Sequence, residues 1–128
     1  MIILDTHVWI WHSSESPELS ESARLAIDRA DALGICAISC WETAMLVAKR
    51  RMGLTMDVEK WLEAALDLPR IRLLPIDARI AALPTRLPGD FHGDPADRLI
   101  AAACLAYQAP LVTKDPRIRE WGQIRTIW

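Results

Sequence analysis

The 128 residues fall within the roughly 100 to 200 usual for one domain, and a content of 52% apolar and 25% charged residues excludes a disordered chain. A net charge of −2 argues against a histone-like nucleic-acid binder, whose affinity comes from many phosphate contacts. Cys36, Cys40 and Cys104 are odd in number and lack paired zinc spacing, which argues against a disulfide framework or a structural zinc.

The chain opens MIILDTHVWIW. Residues 2–4 are a short apolar run stopped by Asp5, the pattern of a buried strand. The segment lacks a basic n-region and a cleavage site, and no apolar run approaches the roughly 20 residues that span a bilayer. A cytoplasmic protein with no membrane association is expected. Ala23, Leu25, Ala26, Ala30 and Leu33 carry a helical period. GICAI, residues 34–38, reads as a second buried strand ending at Ser39, and residues 40–52 as a helix. Val58, Trp61, Leu62, Ala65 and Leu66 recur at i, i+3, i+4, i+7 and i+8, an amphipathic stripe. With a turn at Gly53, these two helices are expected to form a hairpin projecting from the sheet.

Residues 71–74 form a third strand, carrying Arg72, and Ile80, Ala81 and Leu83 a short helix before Pro84. Residues 99–107 are an almost uninterrupted apolar helix, expected to pack centrally. Residues 110–113 make a fourth strand, and 124–128 alternate and close the sheet at an edge. Strands alternating with helices imply a mostly parallel sheet with helices on both faces, a three-layer α/β fold. Neither a repeat nor a linker divides the chain, so one domain over 1–128 is expected.

In open parallel sheets, ligands collect at the carboxyl ends of the strands. Asp5 ends the first strand, Glu42 follows the second and Asp115 the fourth, while Asp94 and Asp97 open the helix before the fourth. Each acid has an ordinary explanation. Ser39-Cys40-Trp41-Glu42 matches a capping box, and Asp94-Pro95 and Asp115-Pro116 match cap-plus-proline helix starts. Yet caps accept Ser, Thr or Asn equally well. A carboxylate recurring at one sheet edge is costly unless a cation neutralises the group, and magnesium or manganese suits such oxygen donors. A carboxylate-held metal points to phosphoryl chemistry with activated water. GxxxxGK[ST], GxGxxG and GxSxG are all absent. Twelve of the 15 basic residues are arginine, suited to forked phosphate recognition.

MIILDTHVWIW, ISCWETAML, HGDPADRLIAAACL and LVTKDPRI, in this order across essentially the whole chain, resemble the signature segments of PIN-domain proteins, in particular the VapC-type toxins of prokaryotes. The resemblance implies a single PIN domain and a Mg2+- or Mn2+-dependent endoribonuclease. Such an enzyme cleaves transfer or ribosomal RNA, inhibits translation, forms a homodimer and is silenced by a cognate VapB-type antitoxin. Asp5, Glu42, Asp97 and Asp115 occupy the positions of the family's acidic quartet. Asp5 and Asp97 are then direct ligands, Asp115 a ligand directly or through water, and Glu42 the group that orients or deprotonates the attacking water. Asp94 is an auxiliary ligand or a helix cap. Thr6 and Thr113 are candidates for fixing carboxylate rotamers, and Arg98 for contacting substrate phosphate or making an outward-facing ion pair.

Trp61, Leu62 and Leu66 are candidate walls of an antitoxin groove, with core burial as the competing reading. An antitoxin arginine entering the acidic cluster would neutralise it as a metal does. His7, His12 and His92 lack helical zinc spacing, and His92, beside Asp94, is the best functional candidate among them. Trp9, Trp11, Trp41 and Trp61 suit packing or base stacking. Two other readings compete. An aspartyl phosphatase of the haloacid-dehalogenase kind would want DxD after the first strand, where His7 stands instead. A catalytically inactive PIN-like module would bind RNA or a partner without cutting.

Overall fold

The computed structural model describes all residues 1–128. Strands β1 (Ile2–Leu4), β2 (Leu33–Cys36), β3 (Ile71–Leu74), β4 (Leu111–Val112) and β5 (Thr126–Ile127) form one sheet in the order β3-β2-β1-β4-β5. Every pairing is parallel, with Ile3 opposite both Gly34 and Leu111. The edge strand β5 therefore arrives by a crossover through a helix and not by a hairpin.

Successive strand residues face opposite sides, and the core divides accordingly. Ile3, Cys36, Leu74 and Leu111 face a layer made by α5 (Ala78–Ala82), α6 (Pro95–Tyr107) and α7 (Pro116–Trp121), where Ile80, Ile100, Cys104 and Ile118 are buried. Leu4, Leu33, Ile35 and Val112 face α1 (Thr6–Ser13), α2 (Glu21–Arg29) and α4 (Val58–Leu66), through Val8, Trp9, Ala23, Ile27 and Ala65. The fold is thus three-layer α/β, as the alternation of elements implies. Gly34 serves this packing directly, since a Cβ there would lie 2.9 Å from Leu74 Cδ1 and 3.1 Å from Ile3 Cγ1.

Three local readings of the sequence change, and one segment without an assignment, residues 6–13, is settled as helix. Helix α1 starts immediately after β1, although Thr6, Val8, Trp9, Ile10 and Trp11 are β-branched or aromatic and poor helix formers. It is held by the Asp5 cap, which accepts from the Thr6 amide at 2.8 Å, and by burial of Val8 and Trp9. Helix α2 ends at Arg29, before Ala30 and Leu33, because Arg70 Nη1 reaches in at 2.8 Å to both the Ile27 and Ala30 carbonyls. Helix α3 (Ala37–Ala48) starts three residues earlier than expected, with Cys36 at its N-cap and no side chain capping it. Ser39 is therefore inside the first turn and fully buried, and the capping box at Glu42 does not form. Finally, α3 does not project from the sheet; it packs against α1, α6 and α4.

Candidate active site

The five carboxylates arrive at one sheet edge by three routes. Asp5 follows β1 and caps α1, Asp115 follows β4 and caps α7, and Asp94 caps α6, where its carboxylate accepts from the Asp97 amide at 3.0 Å. Asp97 stands in the first turn of α6 and Glu42 in the second turn of α3. Together with His7, Val8, Lys114 and Arg117 they line a pocket of about 240 Å³. Asp5, Glu42, Asp94, Asp97 and Asp115 are thus brought together from four separated segments of chain.

Each acid is positioned by named neighbours. Asp5, only 9% exposed, accepts from the Thr6 amide on Oδ1 and from the Thr113 hydroxyl on Oδ2 at 2.7 Å. Burial pushes its pKa up, the Thr113 hydrogen bond opposes this, and Asp97 adds to the rise. Thr113 Oγ1 also accepts from the Asp115 amide at 3.1 Å, tying two acids to one hydroxyl. The Thr6 hydroxyl lies 2.6 Å from Glu42 Oε1 and 2.8 Å from the buried Ser39 hydroxyl. With a single proton of its own, Thr6 serves the carboxylate while Ser39 supplies the second bond. Burial pushes Glu42 up to about 7, the Thr6 contact opposes it, and Asp5, Asp97 and Asp94 raise it further.

Asp97 is also raised, first by burial and then against the pull of His92, whose Nε2 lies 2.6 Å from its Oδ2. His92 therefore acts on Asp97 and not on its sequence neighbour Asp94. Its ring stacks on Phe91, with centroids 4.4 Å apart. Arg98 stands behind it. The guanidinium donates to the carbonyls of Pro84, Phe91 and His92 at 2.8 to 3.1 Å. It makes no outward-facing ion pair, and its donors are committed to backbone, so Arg98 buttresses the loop that carries His92.

Asp115 behaves differently. Arg117 donates its amide and Nε to Oδ1 at 2.8 and 3.2 Å and Nη2 to Oδ2 at 2.8 Å, which holds this carboxyl below its ordinary value. The same Nη2 lies 3.6 Å from Asp97 Oδ2. Sequence reasoning missed Arg117 and Ser39. The clue to Arg117 was its place two residues after a cap aspartate, and nothing in the sequence marked Ser39 as more than a cap.

Hard oxygen donors suit a magnesium- or manganese-type cation, and burial first, with neighbouring carboxylates adding to it, raises the pKa values of Asp5, Glu42 and Asp97. No three His, Cys, Asp or Glu side chains, however, stand together at ligating distance. Arg117 is paired with Asp115 and His92 with Asp97. The donor set fits the ion, provided those two carboxylates exchange partners.

Trp61, Leu62 and Leu66 lie on α4, half-buried against the face that contains Trp9, with the Trp61 and Trp9 rings 5.5 Å apart. None of the three lines the acidic pocket. Trp41 is 57% exposed and borders an apolar recess with Ile38 and Pro95 that shares Glu42 and Asp94 with the acidic pocket.

The PIN domain matches residues 2–123. The chain belongs to the PIN-domain family. It is 40% identical to ribonuclease VapC22 of Mycobacterium tuberculosis over 129 aligned residues, covering 99% of this chain and 98% of that protein. The PIN architecture recurs in crystal structures of VapBC2 from Rickettsia felis, bound to a promoter DNA fragment, and of FitAcB from Neisseria gonorrhoeae. The first has a TM-score of 0.69 at 18% identity, covering 98% of this chain and 97% of that one. The second has 0.67 at 23%, covering 98% and 96%. No helix of this PIN domain is long and apolar enough to cross a membrane.

Proposed function

We propose that this PIN-domain protein is a metal-dependent endoribonuclease, the toxin of a toxin–antitoxin pair, which cuts transfer or ribosomal RNA and so inhibits translation. The observation that carries the reading is the convergence of Asp5, Glu42, Asp94, Asp97 and Asp115 on one pocket, in a chain 40% identical to a VapC ribonuclease. Asp5, Asp97 and Asp115 would hold Mg2+ or Mn2+, with Asp94 as an auxiliary ligand. When bound, the ion supplies an activated water and charge stabilisation at the phosphate.

The chain's own groups supply the rest. Glu42, raised to about 7 in the metal-free pocket by burial and the neighbouring carboxylates, is the group placed to take a proton from the attacking water. Thr6 keeps one Glu42 oxygen fixed and leaves the other free for that water. Thr113 locks the Asp5 rotamer, a role of the kind that orients metal-binding carboxylates.

A cognate VapB-type antitoxin is the proposed partner, and a cytoplasmic homodimer the proposed form. Solved structures sharing the fold include toxin–antitoxin complexes, which supports the first. Half-buried Trp61, Leu62 and Leu66 are the proposed wall of the antitoxin groove. The test is cleavage of a panel of transfer and ribosomal RNA with Mg2+ or Mn2+ by wild type and Asp5→Asn, with an EDTA control. Cutting that requires metal and Asp5 is expected. No cutting across the panel by folded, metal-loaded protein would leave a very narrow substrate choice or an inactive binding module, and would favour the latter.

A further inference from the structure

The acidic pocket already contains a cation supplied by the chain itself. Arg117 places its fork on both oxygens of Asp115 and its Nη2 3.6 Å from Asp97. The other nearby cations are engaged elsewhere. Lys114 pairs with Glu18 at 3.4 Å and lies over the Trp11 ring, while Arg98 is spent on three carbonyls. The Arg117 side chain is 60% exposed and sits in the first turn of α7, at the rim of the pocket.

A divalent cation ligated by Asp115 and Asp97 would compete with the guanidinium that now forks onto both Asp115 oxygens and lies 3.6 Å from Asp97, and the like charges of ion and guanidinium repel. A displaced guanidinium remains tethered at the rim, with five donors in a planar fork suited to phosphate. We propose that Arg117 exchanges partners: it is the resident counter-charge of the acidic pocket before metal binds, and on displacement from Asp115 and Asp97 it becomes the contact for an RNA phosphate. The exchange rests on the nuclease reading above. It couples metal loading to substrate binding through one side chain, because metal on the carboxylates shifts Arg117 toward the state free to contact phosphate.

The test uses the full chain as wild type, Arg117→Gln, Arg117→Lys and Asp5→Asn. Mn2+ binding is followed by titration calorimetry, and binding of a short labelled single-stranded RNA of mixed sequence by anisotropy in Ca2+, with the RNA checked for integrity. Removing an exposed competing ion pair should tighten Mn2+ binding of Arg117→Gln by about two- to fivefold. The same variant should bind RNA about 5- to 30-fold more weakly, as for the loss of one charge-assisted phosphate contact. Its log–log salt slope should fall by about 0.7, one phosphate contact on a single strand. Arg117→Lys should keep the salt slope and lose part of the affinity.

Unchanged or weaker Mn2+ binding by Arg117→Gln would overturn the counter-charge role, and an unchanged salt slope the phosphate contact. If wild type and Asp5→Asn bound Mn2+ alike, the metal-site reading would fall and the exchange with it. Loss of Mn2+ binding in Asp5→Asn alone, with Arg117→Gln like wild type in both assays, would confine the failure to Arg117.

Discussion

Asp5→Asn should stabilise the metal-free protein and destabilise the metal-loaded one relative to wild type. Asp5 is buried beside Asp97, and both burial and that neighbour penalise its charge. Asparagine is nearly isosteric. Its carbonyl can keep the Thr6 amide and its amide can donate to Thr113 Oγ1, so the change costs about 1 kcal/mol of hydrogen bonding. Against this, burying an ion costs several kcal/mol, of which the Thr6 amide, the Thr113 hydroxyl and the helix N-terminus offset a part, leaving a net gain of about 1 to 2 kcal/mol. For a domain of this size that is a rise in Tm of about 3 to 8 °C. Saturating metal reverses the order, because an ion at 100 times its Kd adds about 2.7 kcal/mol to wild type and little to a variant lacking a principal ligand. The assay is thermal unfolding at neutral pH in EDTA and in Mn2+. A variant less stable than wild type in EDTA would refute the reasoning, since Asp5 would then act chiefly as the cap of α1.

Glu42→Gln should flatten part of the pH dependence of metal-free stability. Between 4.5 and about 7 the unfolded chain releases a proton that the folded protein keeps, so this group makes stability fall as pH rises through that window and level off above it. Asp5 and Asp97 act with the same sign and Asp115 with the opposite one. Urea midpoints of the two proteins should therefore diverge between about pH 5 and 7.5, and a constant difference would contradict the Glu42 environment. Thr113→Val removes the hydroxyl shared by Asp5 and the Asp115 amide. It should cost about 1 to 3 kcal/mol and weaken Mn2+ binding about 10- to 100-fold; calorimetry showing undiminished affinity would deny Thr113 its orienting role. Gly34→Ala forces Leu74 Cδ1 away from a contact of 2.9 Å and should lower stability by about 1 to 3 kcal/mol, read as a shifted urea midpoint with an unchanged slope.

The sheet was legible where apolar runs end abruptly. Residues 2–4 and 71–74 were bounded by Asp5 and Pro75, and both strands appear with those limits. Two helix starts were illegible for a tertiary reason. The sequence of α1 has the composition of a strand, and only the Asp5 cap and the burial of Trp9 settle it as helix. Ser39 carried the signal of a cap, but α3 begins at Ala37 and draws Ser39 inside. The meeting of the acids at one edge followed from topology alone, because parallel strands and the helices between them present their functional ends together. The partners of those acids did not follow. Arg117 on Asp97 and His92 on Asp97 depend on how α7 and the loop before α6 approach each other, which no periodicity encodes.

In the sequence, capping and metal binding are rival explanations for the helix-start aspartates; in the structure the caps leave the proposed ligand role open. Asp94 gives Oδ1 to the Asp97 amide, so the cap fixes its rotamer while the carboxylate still borders the pocket. Asp5 gives Oδ1 to the Thr6 amide and is oriented through Oδ2 by Thr113, with further lone pairs on both oxygens. A helix N-terminus also favours negative charge, which offsets part of the repulsion among acids gathered at one edge. Serine would satisfy each amide equally well but could not hold a cation. Glu42 supports the same argument from the other side. It caps nothing, and its carboxylate is clamped instead by the Thr6 hydroxyl, 36 residues away in the chain, which is itself held by the buried Ser39 hydroxyl, 33 residues from Thr6. The acidic site is thus assembled largely from interactions the fold already requires to start its helices, supplemented by the buried hydroxyls of Thr113 at Asp5 and Thr6 at Glu42 and by His92 at Asp97.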